Sequence, residues 1–335
     1  MITDLIQKMI DRVDLTEQEA RSAMEEIMTG TATDAQIGAF LTALRMKGET
    51  AQELIGFARV MREKAEPLWD GEVVPVLDTC GTGGDRSGTF NISTAAAFVA
   101  AAAGVRVAKH GNRSASSRCG SADVMEALGV DIHMPVERLR RAITDAGIGF
   151  LFAQRFHTSM KHVMPARTQL KVRTVFNILG PLASPAAACF HVVGVSSPET
   201  MELIAYALQG LRLKHAFVVH GANGLAEVSI SSRTYVVEIR GDEIRQFMMT
   251  PEDFGITSAK IDAILGGNAA ENAKIIEDIF RGEPGPRRDV VLLNAAPALV
   301  AAGAAPTWRE GIRLAAEAID SGAAMRKLEE LRNFS

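Results

Sequence analysis

Cysteines, aromatic residues and basic runs are all scarce in this chain. Its 335 residues include three cysteines, two tryptophans and two tyrosines. Cys80, Cys119 and Cys189 are odd in number and far apart, which fits neither a disulfide framework nor a zinc site. Each reads as a small apolar core residue of a reduced, cytoplasmic protein. No dense stretch of Lys or Arg occurs, and 36 basic against 40 acidic residues leave a net charge of −4. That balance argues against a general nucleic-acid binder, which would carry a basic face or tail. The longest apolar run, "TAAAFVAAAAGVRVA", is Ala-rich and too short to cross a bilayer, so no membrane partner is expected. The amino-terminal "MITDLIQKMIDRVDLT" lacks a basic region ahead of an apolar one and does not read as a secretion signal.

What is abundant is apolar residues, 47% of the chain, enough for a large core. Residues 1–70 read as helix throughout. Leu5, Ile6, Met9, Ile10 and Val13 recur at helical spacing. Thr16 with Glu19, and Thr50 with Glu53, have the spacing of reciprocal helix caps. From residue 71 the pattern alternates strand, loop and helix. Val73 to Leu77 predicts a strand, then a glycine loop, the helix "NISTAAAFVAAAA", the strand "VRVAKHG", a polar loop and the helix "SADVMEALG". The theme returns in "CFHVVGV" and "HAFVVHG", and "TYVVEIRGDEIRQFMMT" predicts a hairpin turning at Gly241-Asp242. The expected fold is α/β: a small helical domain (1–70, joined by helices from about 164–184) and a large domain (71–163 and 185–335) around a mostly parallel sheet.

Two loops carry the chemistry. "DTCGTGGDRSGTFNIST" places Gly81, Gly83, Gly84 and Gly88 between a strand and a helix. Bare backbone there lets N–H groups approach phosphate oxygens beside a helix N-terminus. No Gly-Lys-Ser/Thr follows, and Arg86 stands where a dinucleotide fingerprint needs its third glycine. The second loop, "AKHGNRSASSRCGSAD", packs Lys109, His110, Asn112, Arg113, Ser114, Ser116 and Ser117 into nine residues. Two such loops at the carboxyl ends of strands predict a phosphate-rich ligand. Asp85, Ser93 and Glu227 offer hard oxygens suited to Mg²⁺.

Together "GTGGD", "NIST", "KHGNR", "GSADVMEALG" and "RTVFNILGPL" closely resemble the anthranilate phosphoribosyltransferases, a family of tryptophan biosynthesis. "QIGAFLTALRMKGET", "GGNAAENA" and "RDVVLLNAA" extend the resemblance over nearly the whole chain. Part of the pattern is shared with pyrimidine nucleoside phosphorylases, the alternative enzyme reading. A non-enzymatic nucleic-acid or regulatory protein on the same fold is a third. The resemblance implies transfer of phosphoribose from phosphoribosyl pyrophosphate (PRPP) to the amine of anthranilate, with Mg²⁺, by a homodimer joined through the helical domain. It implies no clear acid or base among the side chains. It places Gly81, Gly84, Asp85, Thr89, Asn91, Ile92, Ser93 and Thr94 at pyrophosphate and its metal. Lys109, His110, Gly111, Asn112, Arg113, Ser114, Ala115, Ser116, Ser117 and Ser121 would surround the phosphoribosyl group, and Gly81, Asn112 and Arg167 anthranilate. Ser93 and Glu227 would bind metal. The chain departs from the pattern at Ala226, where the family has Asp, at Thr158, where proline is common, and at Ser184, where Asn is common. The missing carboxylate implies a weakened second Mg²⁺ site unless Asn223 compensates.

Overall fold

A computed structural model describes residues 1–114 and 118–334. It begins with four helices, α1 (Ile2–Ile10), α2 (Glu17–Met28), α3 (Asp34–Lys47) and α4 (Ala51–Glu63). Thr16 with Glu19, Thr33 with Gln36, and Thr50 with Glu53 form reciprocal caps that satisfy backbone N–H groups at three of the four helix starts. Glu53 also accepts from the Leu15 N–H at 2.9 Å and pairs with Lys47 at 3.1 Å, fully buried. One cap therefore also ties α4 to the turn before α2.

The large part is a sheet of β1 (Leu77–Asp78), β2 (Val107–Gly111), β3 (Ile148–Phe152), β4 (Phe190–Gly194), β5 (His215–Gly221), β6 (Thr234–Arg240) and β7 (Glu243–Met249). Their order is β3-β2-β1-β4-β5-β6-β7. The first five run parallel, and β6 and β7 form the expected antiparallel hairpin. Ten further helices surround it: α5 (Ile92–Ala102), α6 (Ser121–Ala127), α7 (Val136–Arg141), α8 (Ala153–Phe156), α9 (Met164–Leu170), α10 (Pro198–Gly210), α11 (Ala269–Phe280), α12 (Pro286–Ala301), α13 (Trp308–Asp320) and α14 (Ala323–Phe334), counted among the described residues.

Two expectations are corrected. The strand expected over Val73–Leu77 pairs only at Leu77 and Asp78. Pro75 has no N–H to give a ladder, and Val76 contributes only a carbonyl, which accepts from Cys189 and Phe190. The stretch from Met164 to Leu182 is helical only in pieces. α9 ends where Lys171 takes a left-handed φ of 53°, and short 3₁₀ turns follow at Val175–Asn177 and Gly180–Leu182.

The strands' two-residue period divides the core. Val192, Phe217, Val219 and Val236 face the layer that includes α5, α12 and α13. Val193, Ala216, Val218, Val237 and Ile239 face α10. That second layer is continuous with Phe40, Leu44, Leu54 and Phe57 of the amino-terminal helices, and with Val163, Val175 and Leu179 beside α9. The helical part is thus anchored to one face of the sheet through a shared apolar core. Among the described residues no helix is long and apolar enough to cross a membrane.

Candidate functional site

Strand order reverses between β1 and β4, and open α/β sheets bind ligands in the crevice at such a point. Both sequence-predicted loops open there, one after β1 and one after the neighbouring β2. The four glycines of the first loop serve two purposes. Gly83, Gly84 and Gly88 take left-handed φ values of 61°, 78° and 71°, which side-chain-bearing residues rarely adopt. Gly81 instead makes room, since a Cβ there would lie 2.8 Å from the Gly194 carbonyl at the end of β4. Thr82 N–H donates to that same carbonyl at 2.9 Å, pinning the loop to β4.

The start of α5 is not a side-chain-capped helix. Asn91 adopts φ −74°, ψ 70°, and Ile92 N–H donates to Phe90 O at 2.8 Å, an inverse γ-turn. The Asn91 amide is used elsewhere: Oδ1 accepts from Asn272 Nδ2 at 2.9 Å, and Nδ2 donates to Cys119 O at 3.4 Å. Thr94 and Ala95 N–H groups both donate to Asn91 O. Ser93 remains, and it lines one small cavity with Glu227, whose charged form it favours. Burial pushes the Glu227 carboxyl up to about 7; Lys109 opposes that shift and Asp85 adds to it. Lys109, itself buried, donates to Thr79 O at 3.1 Å, to Thr79 Oγ1 at 3.2 Å and to Ser93 Oγ at 3.5 Å. The start of α5 and the Glu227 carboxylate therefore meet at one small cavity, lined by Thr79, Gly81, Ser93, Gly194, Glu227 and Asn294 among others, with Lys109 reaching its Thr79 and Ser93 and Asp85 near enough to act on Glu227.

The remaining predicted residues fall around it. Gly84 O accepts from Arg173 at 3.3 Å, and Thr89 forms an antiparallel bridge with Leu265. Gly111 packs against Ser121 Oγ, which accepts from Asn112 N–H at 3.2 Å. Asn112 Oδ1 accepts from Gln154 at 3.3 Å. The Arg113 guanidinium is paired with Asp123 at 3.0 Å and Glu126 at 2.5 Å on α6, so binding phosphate would require it to leave them. Ser114 N–H donates to Asp123 at 3.1 Å. Ala115, Ser116 and Ser117 lie outside the described residues. The His110 ring is buried, with Nδ1 3.3 Å from Gly180 O and its edge toward His157 at 5.3 Å. Burial holds it well below the ordinary histidine range, so it stays neutral. Arg167 lies over the Phe176 ring at 5.4 Å, is half-buried, and makes no ion pair among the described residues. Burial lowers its pKa, so the guanidinium is poorly compensated.

The helical bundle domain of the glycosyl transferase family matches residues 3–65, and the a/b domain of that family matches residues 73–325. The anthranilate phosphoribosyltransferase of Symbiobacterium thermophilum is 53% identical over 331 residues, covering 99% of this chain and 97% of that protein. That of Geobacter sulfurreducens is 50% identical over 344 residues. The chain belongs to the anthranilate phosphoribosyltransferase family. The crystal structure of the Thermus thermophilus member superposes with a TM-score of 0.93 at 45% identity, over 98% of both chains. The Saccharomyces cerevisiae member in complex with PRPP and Mg superposes at 0.90 and 29% identity, over 99% of this chain and 97% of that one.

The family's Mg²⁺ fits the residues present. Glu227 and Ser93 line one cavity, and Asp85 is close enough to raise the Glu227 pKa, so like charges gather with Lys109 to offset them. Among the described residues no three acidic, His or Cys side chains converge. A metal there would draw its other ligands from the substrate and from water. Asn223 does not fill the place of the absent carboxylate. Its amide is occupied within its own loop, with Ser231, Ser232 and the Leu225 N–H.

Four residues escaped the sequence reading: Thr79, which receives Lys109; Gly194, against which Gly81 and Ala226 pack; Asn272; and Asn294. Gly194 had a signal, a glycine closing an apolar strand at the ligand-binding edge of a sheet. The other three lie within quoted motifs but drew no role there, because the partners that define their roles are distant in sequence.

Proposed function

We propose that this chain transfers the phosphoribosyl group of PRPP to the amine of anthranilate, releasing pyrophosphate, in tryptophan biosynthesis. The carrying observation is the crevice between β1 and β4, where Lys109, Ser93, Glu227 and Asp85 gather. Two glycine- and serine-rich loops open on it. Membership of the family supplies the substrates.

The roles follow from this arrangement. Loop-one backbone around Gly81 to Asp85, together with Thr89 and the Asn91–Thr94 segment, would hold pyrophosphate. Lys109 would turn from Thr79 and Ser93 to the incoming phosphate oxygens. Ser93 and Glu227, with Asp85, would hold Mg²⁺, which neutralises the charge of the departing pyrophosphate. Asn112, Ser121 and residues 113–117 would flank the ribose phosphate. Arg167 would receive the anthranilate carboxylate, for which a planar guanidinium is suited. No side chain is needed as acid or base. The chain's contribution is to hold the amine and ribose C1 in line and to stabilise leaving-group charge. His110, His157 and His191 are buried and kept neutral beneath the crevice.

The reading includes a homodimer through the helical part. Ile10, Val13, Met46 and Met164 are large apolar side chains left exposed on or beside α1, α3 and α9. It also includes the division into residues 1–70 with 164–184 and the rest, and a cytoplasmic location, which the free cysteines support. The test is pyrophosphate release. It should require anthranilate, PRPP and Mg²⁺ together, in equal amount to the anthranilate consumed. Phosphorolysis of a pyrimidine nucleoside with no such release would establish the alternative enzyme class.

A further inference from the structure

The segment carrying Glu227 is fixed on both sides, and the second fixing point comes from a residue outside both phosphate loops. Before Glu227, Ala226 N–H donates to Asp85 Oδ2 at 3.1 Å, and Ala226 O packs so closely on Gly194 that a Cβ there would lie 1.7 Å away. After Glu227, both backbone groups of Val228 are taken by one side chain. Asn294 Oδ1 accepts from Val228 N–H at 2.8 Å, and Asn294 Nδ2 donates to Val228 O at 2.9 Å. The same Nδ2 donates to Val290 O, one turn back on α12, at 2.8 Å, which locks the rotamer. Asn294 is 3% exposed and lines the small cavity that Glu227 and Ser93 share.

We infer that Asn294 is a positioning residue: through Val228 it sets where the Glu227 carboxylate stands over Ser93. The role has special weight in this chain. Ala226 brings no carboxylate, so Glu227 acts without an acidic neighbour at 226, and an error in its placement is not shared. A backbone segment between two β-connections has no ladder to hold it, and the Asn294 amide substitutes for one by pairing N–H and C=O together. Neither Asp nor Leu reproduces that pairing. Asp keeps the acceptor and loses both donated bonds, and Leu loses all three.

The inference rests on the proposal that Glu227 binds the metal of Mg²⁺·PRPP, and the experiment separates the two. Mg²⁺·PRPP binding is followed by calorimetry across a Mg²⁺ titration in Asn294→Asp, Asn294→Leu, Glu227→Gln and Leu299→Ala proteins, with thermal midpoints alongside. Leu299, buried on the same α12, controls for simple destabilisation. The expected result is a roughly tenfold rise in the Mg²⁺ needed for binding in both Asn294 variants, with anthranilate binding little changed. Leu299→Ala should lower the midpoint without that shift. If the Leu protein does not fold, the Asp protein decides. Asn294 variants that shift only as Leu299→Ala does, while Glu227→Gln weakens binding, overturn the positioning role alone. If Glu227→Gln leaves binding unmoved, the metal assignment of Glu227 falls first, and the positioning role with it.

Discussion

The backbone N–H of Ala226 donates to the Asp85 carboxylate at 3.1 Å, joining the first phosphate loop to the segment that carries Glu227. The methyl side chain of Ala226 offers no metal ligand, and Asn223 is occupied elsewhere. Ala226→Asp should therefore lower the Mg²⁺ concentration for half-maximal activity, about tenfold for an interaction of about 1.4 kcal/mol. It should also destabilise the metal-free protein, because a third carboxylate joins Asp85 and Glu227. Unmoved Mg²⁺ titration would show that the missing carboxylate has no consequence here.

Arg167 lies over Phe176 and, among the described residues, pairs with no carboxylate. Arg167→Ala should raise the KM for anthranilate roughly ten- to a hundredfold, the scale of one lost charge-assisted hydrogen bond, with the KM for PRPP little changed. Arg167→Lys should recover only part, since a point charge replaces a planar fork. Equal losses for both substrates would contradict the assignment.

Stability should fall on the acid side of neutrality. Burial drives His110 well below the usual histidine value, His157 to about 4 and His191 to about 3, and it raises Asp78 to about 6. Lowered histidine pKa values give stability that is complete above the ordinary value near 6.5 and is lost as pH falls toward the folded values. The raised Asp78 acts in the opposite sense, gaining stability below about 6. Between about pH 6 and 4 the unfolded chain holds up to three more histidine protons, whereas the folded chain holds up to two more carboxyl protons, on Asp78 and on Glu227, which burial raises to about 7, so the histidines outnumber them. The thermal midpoint should drop on acidification through this window, and His191→Gln should make the drop shallower. A flat profile would contradict neutral burial of these rings.

The exposed side chains of Ile10, Met46 and Met164 set the dimer prediction. Sedimentation at micromolar concentration should give twice the 35.9 kDa of one chain. Met46→Asp should shift that mass toward a single chain without altering the far-UV circular dichroism. A single-chain mass for the unaltered protein would refute the interface.

How far the sequence could be read depended on the range of the forces involved. The caps at Thr16 and Thr50 and the turn at Gly241-Asp242 are local, and local spacing was enough to find them. The β1 strand was overread because an apolar, β-branched run satisfies propensity even when Pro75 cannot pair. The β3 strand, "IGFLF", is buried along its whole length, so it shows no alternation to separate it from a helix. In the site, the loops and their positions at strand ends were legible. The uses of Asn91 and Arg113 were not, since Asn272 lies 181 residues from Asn91, and the acids on α6 meet Arg113 only once the second loop has folded back. A motif names which residues gather; it does not say which of their atoms other parts of the chain already occupy.

Anthranilate's own fluorescence reports the transfer of phosphoribose to its amine directly. Purified protein with anthranilate, PRPP and Mg²⁺ should extinguish that fluorescence in a single progressive reaction. Omitting PRPP or chelating Mg²⁺ should stop it, and Glu227→Gln should slow it at limiting Mg²⁺. Fluorescence that persists with all three present, in protein shown to be folded, would contradict the account.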